Sequence, residues 1–201
     1  MKKTGIFGGT FDPIHTGHIA LAEDALNQAG LDSIVFVPAR LQPFKLDRKT
    51  ASGKDRYAML RLAAEGYRGF DVSSYELESD RISYTYLTMR AMSDRYGDDT
   101  KLFFITGTDS FLKIESWKNA RELLTSYSYI IGTRPGYKET QLEECIMNVK
   151  AKYGTEILNI ENTQHDISST RIRDMLKAGK PLNRLVPESV ERYIIEKRLY
   201  I

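Results

Sequence analysis

The fold is decided by the stretch Lys3-Thr4-Gly5-Ile6-Phe7-Gly8-Gly9-Thr10-Phe11-Asp12-Pro13-Ile14-His15-Thr16-Gly17-His18. Its first five residues predict a buried β-strand, the adjacent glycines Gly8 and Gly9 predict a tight turn, and an apolar helical repeat follows from His18. Glycine lets a ligand approach the backbone closely, and a helix start offers unpaired N–H groups and a positive dipole end to an anion. The stretch therefore predicts a βα unit that binds phosphate.

Two histidines stand at the start of this helix. His15 and His18 are three positions apart, so both imidazoles can donate hydrogen bonds to charge on a reacting phosphoryl group. A zinc site would need three or four ligands, and Cys145 and His165 lie in unrelated contexts. Capping the helix or packing in the core is the ordinary role of a single histidine. Because two of the chain's 3 histidines lie beside the glycines, the clustering favours a functional site.

Short apolar runs alternate with helical patterns along the chain, which predicts an α/β fold of the Rossmann-like type, a doubly wound parallel sheet with a helical C-terminal segment. Strands are predicted at 3–7, 33–37, 70–73, 101–106, 128–132 and 156–160. Helices are predicted at 18–29, from a Ser52 cap through Ala64, at 85–96 and at 142–153, with Gly30, Gly66, Gly97 and Gly154 behind them.

The last third of the chain predicts two successive helices, at 170–178 and from Pro187 to about Lys197. We expect one domain over residues 1–201, with a core at about 1–160 and a phosphate-binding helical segment at about 161–201. Ligands of open α/β sheets bind outside the carboxyl ends of the strands. Motifs that follow different strands are therefore expected to converge.

Composition narrows the function classes. Lys and Arg total 29 against 27 for Asp and Glu, which argues against a general binder of nucleic acid or of membrane surfaces. The single Cys145 excludes an intrachain disulfide. No stretch predicts a signal peptide or a membrane span, so a cytoplasmic location is expected.

Several short motifs carry a resemblance over nearly the whole chain. After Gly8-Gly9-Thr10-Phe11-Asp12-Pro13-Ile14-His15-Thr16-Gly17-His18 come Pro43-Phe44-Lys45, Ser83-Tyr84-Thr85, Gly107-Thr108-Asp109, Ser116-Trp117, Arg134-Pro135-Gly136 and Ile167-Ser168-Ser169-Thr170-Arg171-Ile172-Arg173. In this order they resemble the bacterial nicotinate mononucleotide adenylyltransferases of the HxGH nucleotidylyltransferase superfamily. The resemblance implies transfer of AMP from ATP to nicotinate mononucleotide in NAD biosynthesis, giving deamido-NAD and pyrophosphate by direct in-line attack without a covalent intermediate.

The same resemblance implies the catalytic residues. His15 and His18 would bind the α-phosphate of ATP, while Lys45 and Arg173 would hold the β- and γ-phosphates that leave as pyrophosphate. The family commonly has a histidine directly before this lysine, where the chain has Phe44. A lysine in the basic loop 45–54 is by itself usually only solvated.

Further residues are implied as nucleotide contacts. Asp109 would bind ribose hydroxyls, although its ordinary role would be to cap the next helix. The serines before the helix at 170–178 would form a phosphate-binding nest, or a plain N-cap. The predicted ATP-binding set is Gly8, Gly9, Thr10, Phe11, His18, Gly107, Asp109, Ile167, Ser168, Ser169 and Arg173.

The pyridine substrate is assigned to a second group of residues. Thr85, at a predicted helix start, would bind the nicotinate carboxylate through its backbone N–H, and Trp117, at another predicted helix start, would stack on the ring. Arg134 and Asp109 would complete this set. A lone tryptophan more often belongs to the core. Mg²⁺ is expected on the ATP phosphates without a dedicated protein ligand, and a homo-oligomer is possible.

Three other functions remain open at this point. Another adenylyltransferase of the superfamily would act on nicotinamide mononucleotide or phosphopantetheine. A dinucleotide-dependent oxidoreductase is disfavoured, because GxGxxG is absent and Val37-Pro38-Ala39-Arg40 lacks the acidic ribose ligand. A nucleotide sensor without catalysis is disfavoured by the presence of both histidines and Arg173.

Overall fold

The structure, a computed structural model, describes residues 1–40, 50–80, 82–133, 138–162 and 167–201. Its strands are β1 (Lys2–Gly9), β2 (Ser33–Pro38), β3 (Phe70–Val72), β4 (Thr100–Gly107), β5 (Ser128–Thr133) and β6 (Ile157–Glu161). All six predicted strands are confirmed, and their ends differ from the predicted ones by no more than two residues.

The strands form one sheet in the order β3-β2-β1-β4-β5-β6, and every ladder between neighbours is parallel. The chain builds outward from β1 on one side and then, from β4, on the other. This confirms the doubly wound α/β fold. Because the connections diverge between β1 and β4, a crevice opens at the carboxyl ends of these two strands, where such sheets bind ligands.

The helices are α1 (Thr16–Gln28), α2 (Gly53–Ala64), α3 (Tyr75–Glu78), α4 (Thr85–Tyr96), α5 (Thr108–Phe111), α6 (Ala120–Ser126), α7 (Glu139–Tyr153), α8 (Ser169–Lys177) and α9 (Glu188–Glu196), with a 3₁₀ turn at Ile114–Ser116. All six predicted helices are confirmed. No range was predicted for the short helices α3, α5 and α6, because an apolar period needs at least about two turns to be visible.

The predicted helix ends have the expected local chemistry. Ser52 caps α2, its hydroxyl accepting from the Asp55 N–H at 3.1 Å. Gly97 and Gly154 end α4 and α7 with φ of 67° and 69°, positive values that glycine adopts without Cβ strain.

Alternate residues of each strand pack on opposite faces of the sheet. On one face, Phe7, Phe36 and Ile105 pack with α1, α2, α8 and α9; on the other, Ile6, Val37 and Phe104 pack with α4, α6 and α7. The C-terminal helices therefore share the core of α1 and α2, which places the start of α8 beside the carboxyl end of β1. Within the described ranges, no helix is both long and apolar enough to cross a bilayer.

Candidate active site

Two cavities open in the crevice between β1 and β4. The first, of about 430 Å³, contains His15 and His18, and we call it the histidine cavity. The second, of about 590 Å³, contains Thr85 and Trp117, and we call it the tryptophan cavity. Both are lined by Gly8, Gly9, Thr106, Asp109 and Ser110. The two cavities therefore meet at the ends of β1 and β4.

Every residue predicted to bind ATP lines the histidine cavity, in segments that are far apart in sequence: Gly8, Gly9, Thr10, Phe11, His18, Gly107, Asp109, Ile167, Ser168, Ser169 and Arg173. The ends of β1 and β4 and the starts of α1, α5 and α8 bring them together. The structure thus confirms that these motifs meet at the carboxyl edge of the sheet.

The glycines do not form the predicted turn. Gly8 and Gly9 extend β1, in register with Val37 and Pro38 of β2. The chain turns later, at Phe11, whose φ is 49°. A Cβ on Gly9 would lie 2.9 Å from the Phe11 ring. Glycine is required there because the aromatic ring folds back over the strand, so packing rather than turn geometry selects it.

His15 and His18 stack on each other and cap α1 together. Their ring centroids are 3.6 Å apart with an interplanar angle of 22°. The His18 N–H donates to His15 Nδ1, and the His15 N–H donates to His18 Nδ1, each at 3.3 Å. This reciprocal arrangement is a capping box made of two imidazoles. The ordinary capping role of a histidine is therefore present in both residues.

The capping box also sets the protonation of the rings. A nitrogen that accepts a hydrogen bond carries no proton, so a neutral ring must carry its proton on Nε2. His15 is only 5% exposed, and burial lowers its pKa from 6.5 to about 4. His15 is therefore neutral at pH 7 and has an Nε2–H donor left over. The cap and a phosphate contact use different nitrogens and are compatible.

The start of α1 offers fewer free donors than the sequence suggested. The Thr16 N–H donates to the Leu185 carbonyl at 2.9 Å, and His15 accepts from His18. Of the first three N–H groups of α1, only that of Gly17 has no partner among the described residues, and Gly17 lines the histidine cavity. A single backbone donor of this helix is thus available to a ligand.

The start of α8 forms the opposite wall of the histidine cavity. Ser168 is the N-cap, with its hydroxyl accepting from the Arg171 N–H at 3.3 Å. The Ser169 hydroxyl donates to the Pro13 carbonyl at 3.0 Å. Arg173 is 9% exposed and donates from Nη1 to the Asp12 carbonyl at 2.6 Å. These contacts tie α8 to the loop after β1, so the loop and the arginine hold a fixed relative position.

Sequence reasoning missed two buried charges beneath this loop. Asp12 and Arg56 are each 2% exposed. Arg56 reaches from α2 to donate to the Thr10 carbonyl at 2.8 Å and to the Ala51 carbonyl at 3.1 Å. A signal was present, because Arg56 interrupts the apolar face of α2 formed by Met59, Leu60 and Ala63. A charge on an apolar helix stripe indicates a buried partner.

Asp109 lies at the junction of the two cavities. Gly107, not Asp109, is the N-cap of α5, so the capping role is wrong for Asp109. Its Oδ1 accepts from Lys138 Nζ at 2.6 Å. The side chain is exposed.

The tryptophan cavity has an aromatic wall and an open helix start. Trp117 is half-buried and packs edge-on against Phe104, with centroids 5.8 Å apart. It ends the 3₁₀ turn instead of beginning a helix; the prediction of a helix start there is wrong, since α6 begins only at Ala120. Thr85 is the first residue of α4, and within the described part of the chain no side chain caps that end.

Glu76 is an unexpected member of this wall. It is 8% exposed and accepts from the Thr88 hydroxyl at 2.5 Å, while its Oε2 has no hydrogen-bond partner in the described part of the chain. Burial raises its pKa above the ordinary value. Glu76 belongs to the short helix α3, which the sequence pattern did not reveal. The cavity therefore contains a carboxyl group close to the start of α4.

Two predicted site residues, Lys45 and Arg134, lie outside the described residues. Within the described ranges, no group of three or more His, Cys, Asp or Glu side chains could hold a metal ion. The carboxylates that line the histidine cavity are Asp12 and Asp109, and each of them lies beside a cation.

Comparisons with known proteins identify the family of this chain. The cytidylyltransferase-like family model matches residues 6–175. A protein of Thermoanaerobacter sp. (strain X514) named "Probable nicotinate-nucleotide adenylyltransferase" is 41% identical over 198 residues, 98% of this chain and 94% of that protein. A protein of the same name from Clostridium novyi (strain NT) is 36% identical over 200 residues, 100% of both chains.

A solved structure shows the same fold. It is the Plasmodium falciparum nicotinic acid mononucleotide adenylyltransferase complexed with NaAD, with a TM-score of 0.78 and 21% identity over 100% of this chain and 98% of that one. The family model covers most of the chain, and the curated relatives align with nearly all of it. The chain therefore belongs to the cytidylyltransferase-like family, among the nicotinate-nucleotide adenylyltransferases.

Proposed function

We propose that this chain transfers AMP from ATP to nicotinate mononucleotide, forming deamido-NAD and pyrophosphate. The carrying observation is the pair of cavities that meet at Gly8, Gly9 and Asp109. One is polar and lined by helix starts, histidines and a buried arginine, as a triphosphate requires. The other is aromatic with an uncapped helix start, as a pyridine carboxylate requires. A transfer between two nucleotides needs such neighbouring sites.

The reaction makes modest chemical demands on the protein. The attacking phosphate oxygen of nicotinate mononucleotide is ionised at neutral pH, so the enzyme needs neither a base nor a covalent intermediate. Positioning and neutralisation of charge are enough. In this proposal the Nε2–H groups of His15 and His18 bind the α-phosphate as its negative charge spreads over the equatorial oxygens. The Gly17 N–H and the Thr10 hydroxyl, whose Oγ1 has no partner among described residues, supply further donors.

The leaving pyrophosphate is assigned to Arg173, the start of α8 and Lys45. Arg173 is anchored by the Asp12 carbonyl and the Thr170 hydroxyl, so its guanidinium is pre-organised before the phosphates arrive. Mg²⁺ on the phosphates would neutralise charge on the leaving group. Since the carboxylates of this cavity are each engaged with a cation, the ion would be held mainly by phosphate oxygens and water.

The tryptophan cavity is assigned to the acceptor. Trp117 would stack on the pyridine, and the uncapped N–H groups of α4 at Thr85 would bind the nicotinate carboxylate. Asp109 would accept from ribose hydroxyls at the junction, and Arg134 would lie on the substrate-phosphate side.

One assay tests the proposal against its rivals. The purified protein is incubated with ATP and Mg²⁺ and, separately, with nicotinate mononucleotide, nicotinamide mononucleotide or phosphopantetheine, and pyrophosphate and dinucleotide are measured. We expect deamido-NAD and an equal amount of pyrophosphate with the first acceptor. Faster product formation with another acceptor, or ATP binding without any product, would overturn it.

A further inference from the structure

A buried cluster of charges surrounds the loop after β1, and the proposed function assigns only one of its members, Arg173, to a substrate. It consists of Asp12, Arg56 and Arg173, of which none is more than 9% exposed. One carboxylate faces two guanidinium groups, so the cluster has a net positive charge. Buried charges are stable only when their hydrogen bonds are satisfied, and loss of one partner is felt by the others.

Asp12 is the centre of this cluster, and its two oxygens have different surroundings. Oδ1 accepts from the Ala51 N–H at 2.9 Å and from the Tyr200 hydroxyl at 2.6 Å. Oδ2 has no hydrogen-bond partner among the described residues and lies 3.6 Å from Arg173 Nη1. The bonds to Oδ1 hold the carboxylate plane, so Oδ2 faces the arginine without forming a close bidentate pair with it.

Tyr200 is itself held firmly. The chain folds back after α9, where the Leu199 N–H donates to the Ile194 carbonyl at 3.0 Å. Tyr200 has a φ of 67°, a conformation that a residue with a Cβ adopts only where its surroundings impose it. Burial and the bond to Asp12 raise the pKa of the Tyr200 hydroxyl far above its ordinary value. The hydroxyl therefore stays protonated and stays a donor.

We infer that Tyr200 is a positioning residue for the triphosphate: by holding Asp12 Oδ1 it keeps the Arg173 guanidinium turned toward the histidine cavity. This inference rests on the proposed function. Without the hydroxyl, Asp12 can rotate about its side-chain bond and offer both oxygens to Arg173. A guanidinium engaged by a bidentate carboxylate has fewer N–H groups for phosphate. Tyr200 thus acts on ATP through Asp12 and Arg173 and touches no substrate.

The test compares Tyr200→Phe with a matched control. Tyr193→Phe removes another hydroxyl from the same C-terminal region, one that donates to Asp55 Oδ1 at 3.0 Å and is not among the lining residues of the histidine or tryptophan cavity. We expect Tyr200→Phe to raise the KM for ATP, and that for pyrophosphate in the reverse reaction, by about tenfold, the scale of one hydrogen bond to a charged group. The KM for nicotinate mononucleotide should stay within about twofold of the parent, and Tyr193→Phe should change no KM.

Two further measurements distinguish a failure of this inference from misfolding of the variant and from a wrong acceptor in the proposed function. Direct calorimetric titration with ATP needs no acceptor, so it reports on Tyr200 even if nicotinate mononucleotide is not the substrate. In an Asp12→Ala background, Tyr200→Phe should have no additional effect on ATP affinity, because its acceptor is gone. Unchanged ATP affinity in Tyr200→Phe, an equal loss in Tyr193→Phe, or full additivity with Asp12→Ala would each overturn the inference.

Discussion

The histidine cavity and the tryptophan cavity share a floor but differ in how their polar groups are held. In the first, His15, His18 and Arg173 are each fixed by bonds to backbone atoms. In the second, no described side chain caps the start of α4, and Glu76 Oε2 has no hydrogen-bond partner among the described residues. This difference suggests a separate role for each cavity. Fixed donors suit charge that develops during a reaction, whereas unsatisfied groups make a pocket that discriminates between ligands.

The largest effect is expected at His18, where cap and catalysis can be separated. Asparagine keeps an acceptor near Nδ1 and loses the Nε2–H; glutamine does the reverse. We expect His18→Asn to lower kcat by about 10²–10³-fold with little loss of stability, since one preorganised donor to developing charge contributes about that factor. His18→Gln should keep more turnover and lose about 1 kcal/mol of unfolding free energy, as for a lost cap.

Steady-state kinetics and urea unfolding of the two variants measure these quantities side by side. If His18→Asn turned over like the parent, His18 would serve only as a helix cap. The histidine cavity would then not be the one that stabilises developing charge.

The next effect concerns the acid and the amide of the acceptor. A carboxylate at the start of α4 forms charge-assisted hydrogen bonds, whereas an amide turns its NH₂ toward the same donors. We expect kcat/KM for nicotinate mononucleotide to exceed that for nicotinamide mononucleotide by more than about a hundredfold, given about 1.5–3 kcal/mol per bond. Comparable values for the two acceptors would contradict this.

Glu76 tests the same preference for the acid over the amide, because an ionised Glu76 would repel the nicotinate carboxylate. Glu76→Gln keeps the shape and the bond from Thr88. We expect the preference for the acid to increase several-fold in this variant. A decrease would mean that Glu76 serves the carboxylate as a protonated donor.

A smaller effect is expected from the aromatic wall. Trp117→Ala should raise the KM for nicotinate mononucleotide by about three- to tenfold, from about 0.5–1.5 kcal/mol of ring contact, while Trp117→Phe should lose less. The KM for ATP is the internal control. A change confined to ATP would place Trp117 outside the acceptor site.

The smallest expected effect is one on stability, and it comes from the titration of His15. Its pKa is about 4 in the folded chain against an ordinary 6.5, so the unfolded chain binds this proton more readily. Unfolding free energy should therefore fall as pH drops from 6.5 to 4, with His15 contributing up to about 3 kcal/mol of the loss. Between pH 6.5 and 8 this histidine should add no pH dependence.

Urea unfolding at pH 7 and pH 4.5 checks this, with His15→Asn as the control that keeps a cap acceptor and cannot titrate. An equal loss of stability in both proteins would assign the pH dependence to other groups.

Much of the molecule could be predicted from the sequence because its signals are local. The alternation of apolar runs and helical periods predicted all six strands, and glycines predicted the ends of α4 and α7. The residues predicted for ATP lie on one cavity because parallel strands end at the same edge. Roles drawn from single residues were less secure: Gly8 and Gly9 lie in a strand, and Trp117 ends a 3₁₀ turn.

By itself the sequence determined the fold class, the family and the edge of the sheet at which the chemistry lies, since periodicity and ordered motifs depend on neighbouring residues. Only the tertiary structure decided which nitrogen of His15 is free, that Arg56 and Tyr200 reach the loop after β1, and that Glu76 lies in the wall of the tryptophan cavity. Such contacts join residues up to 188 positions apart. They depend on burial and on the meeting of distant elements, which no local pattern contains.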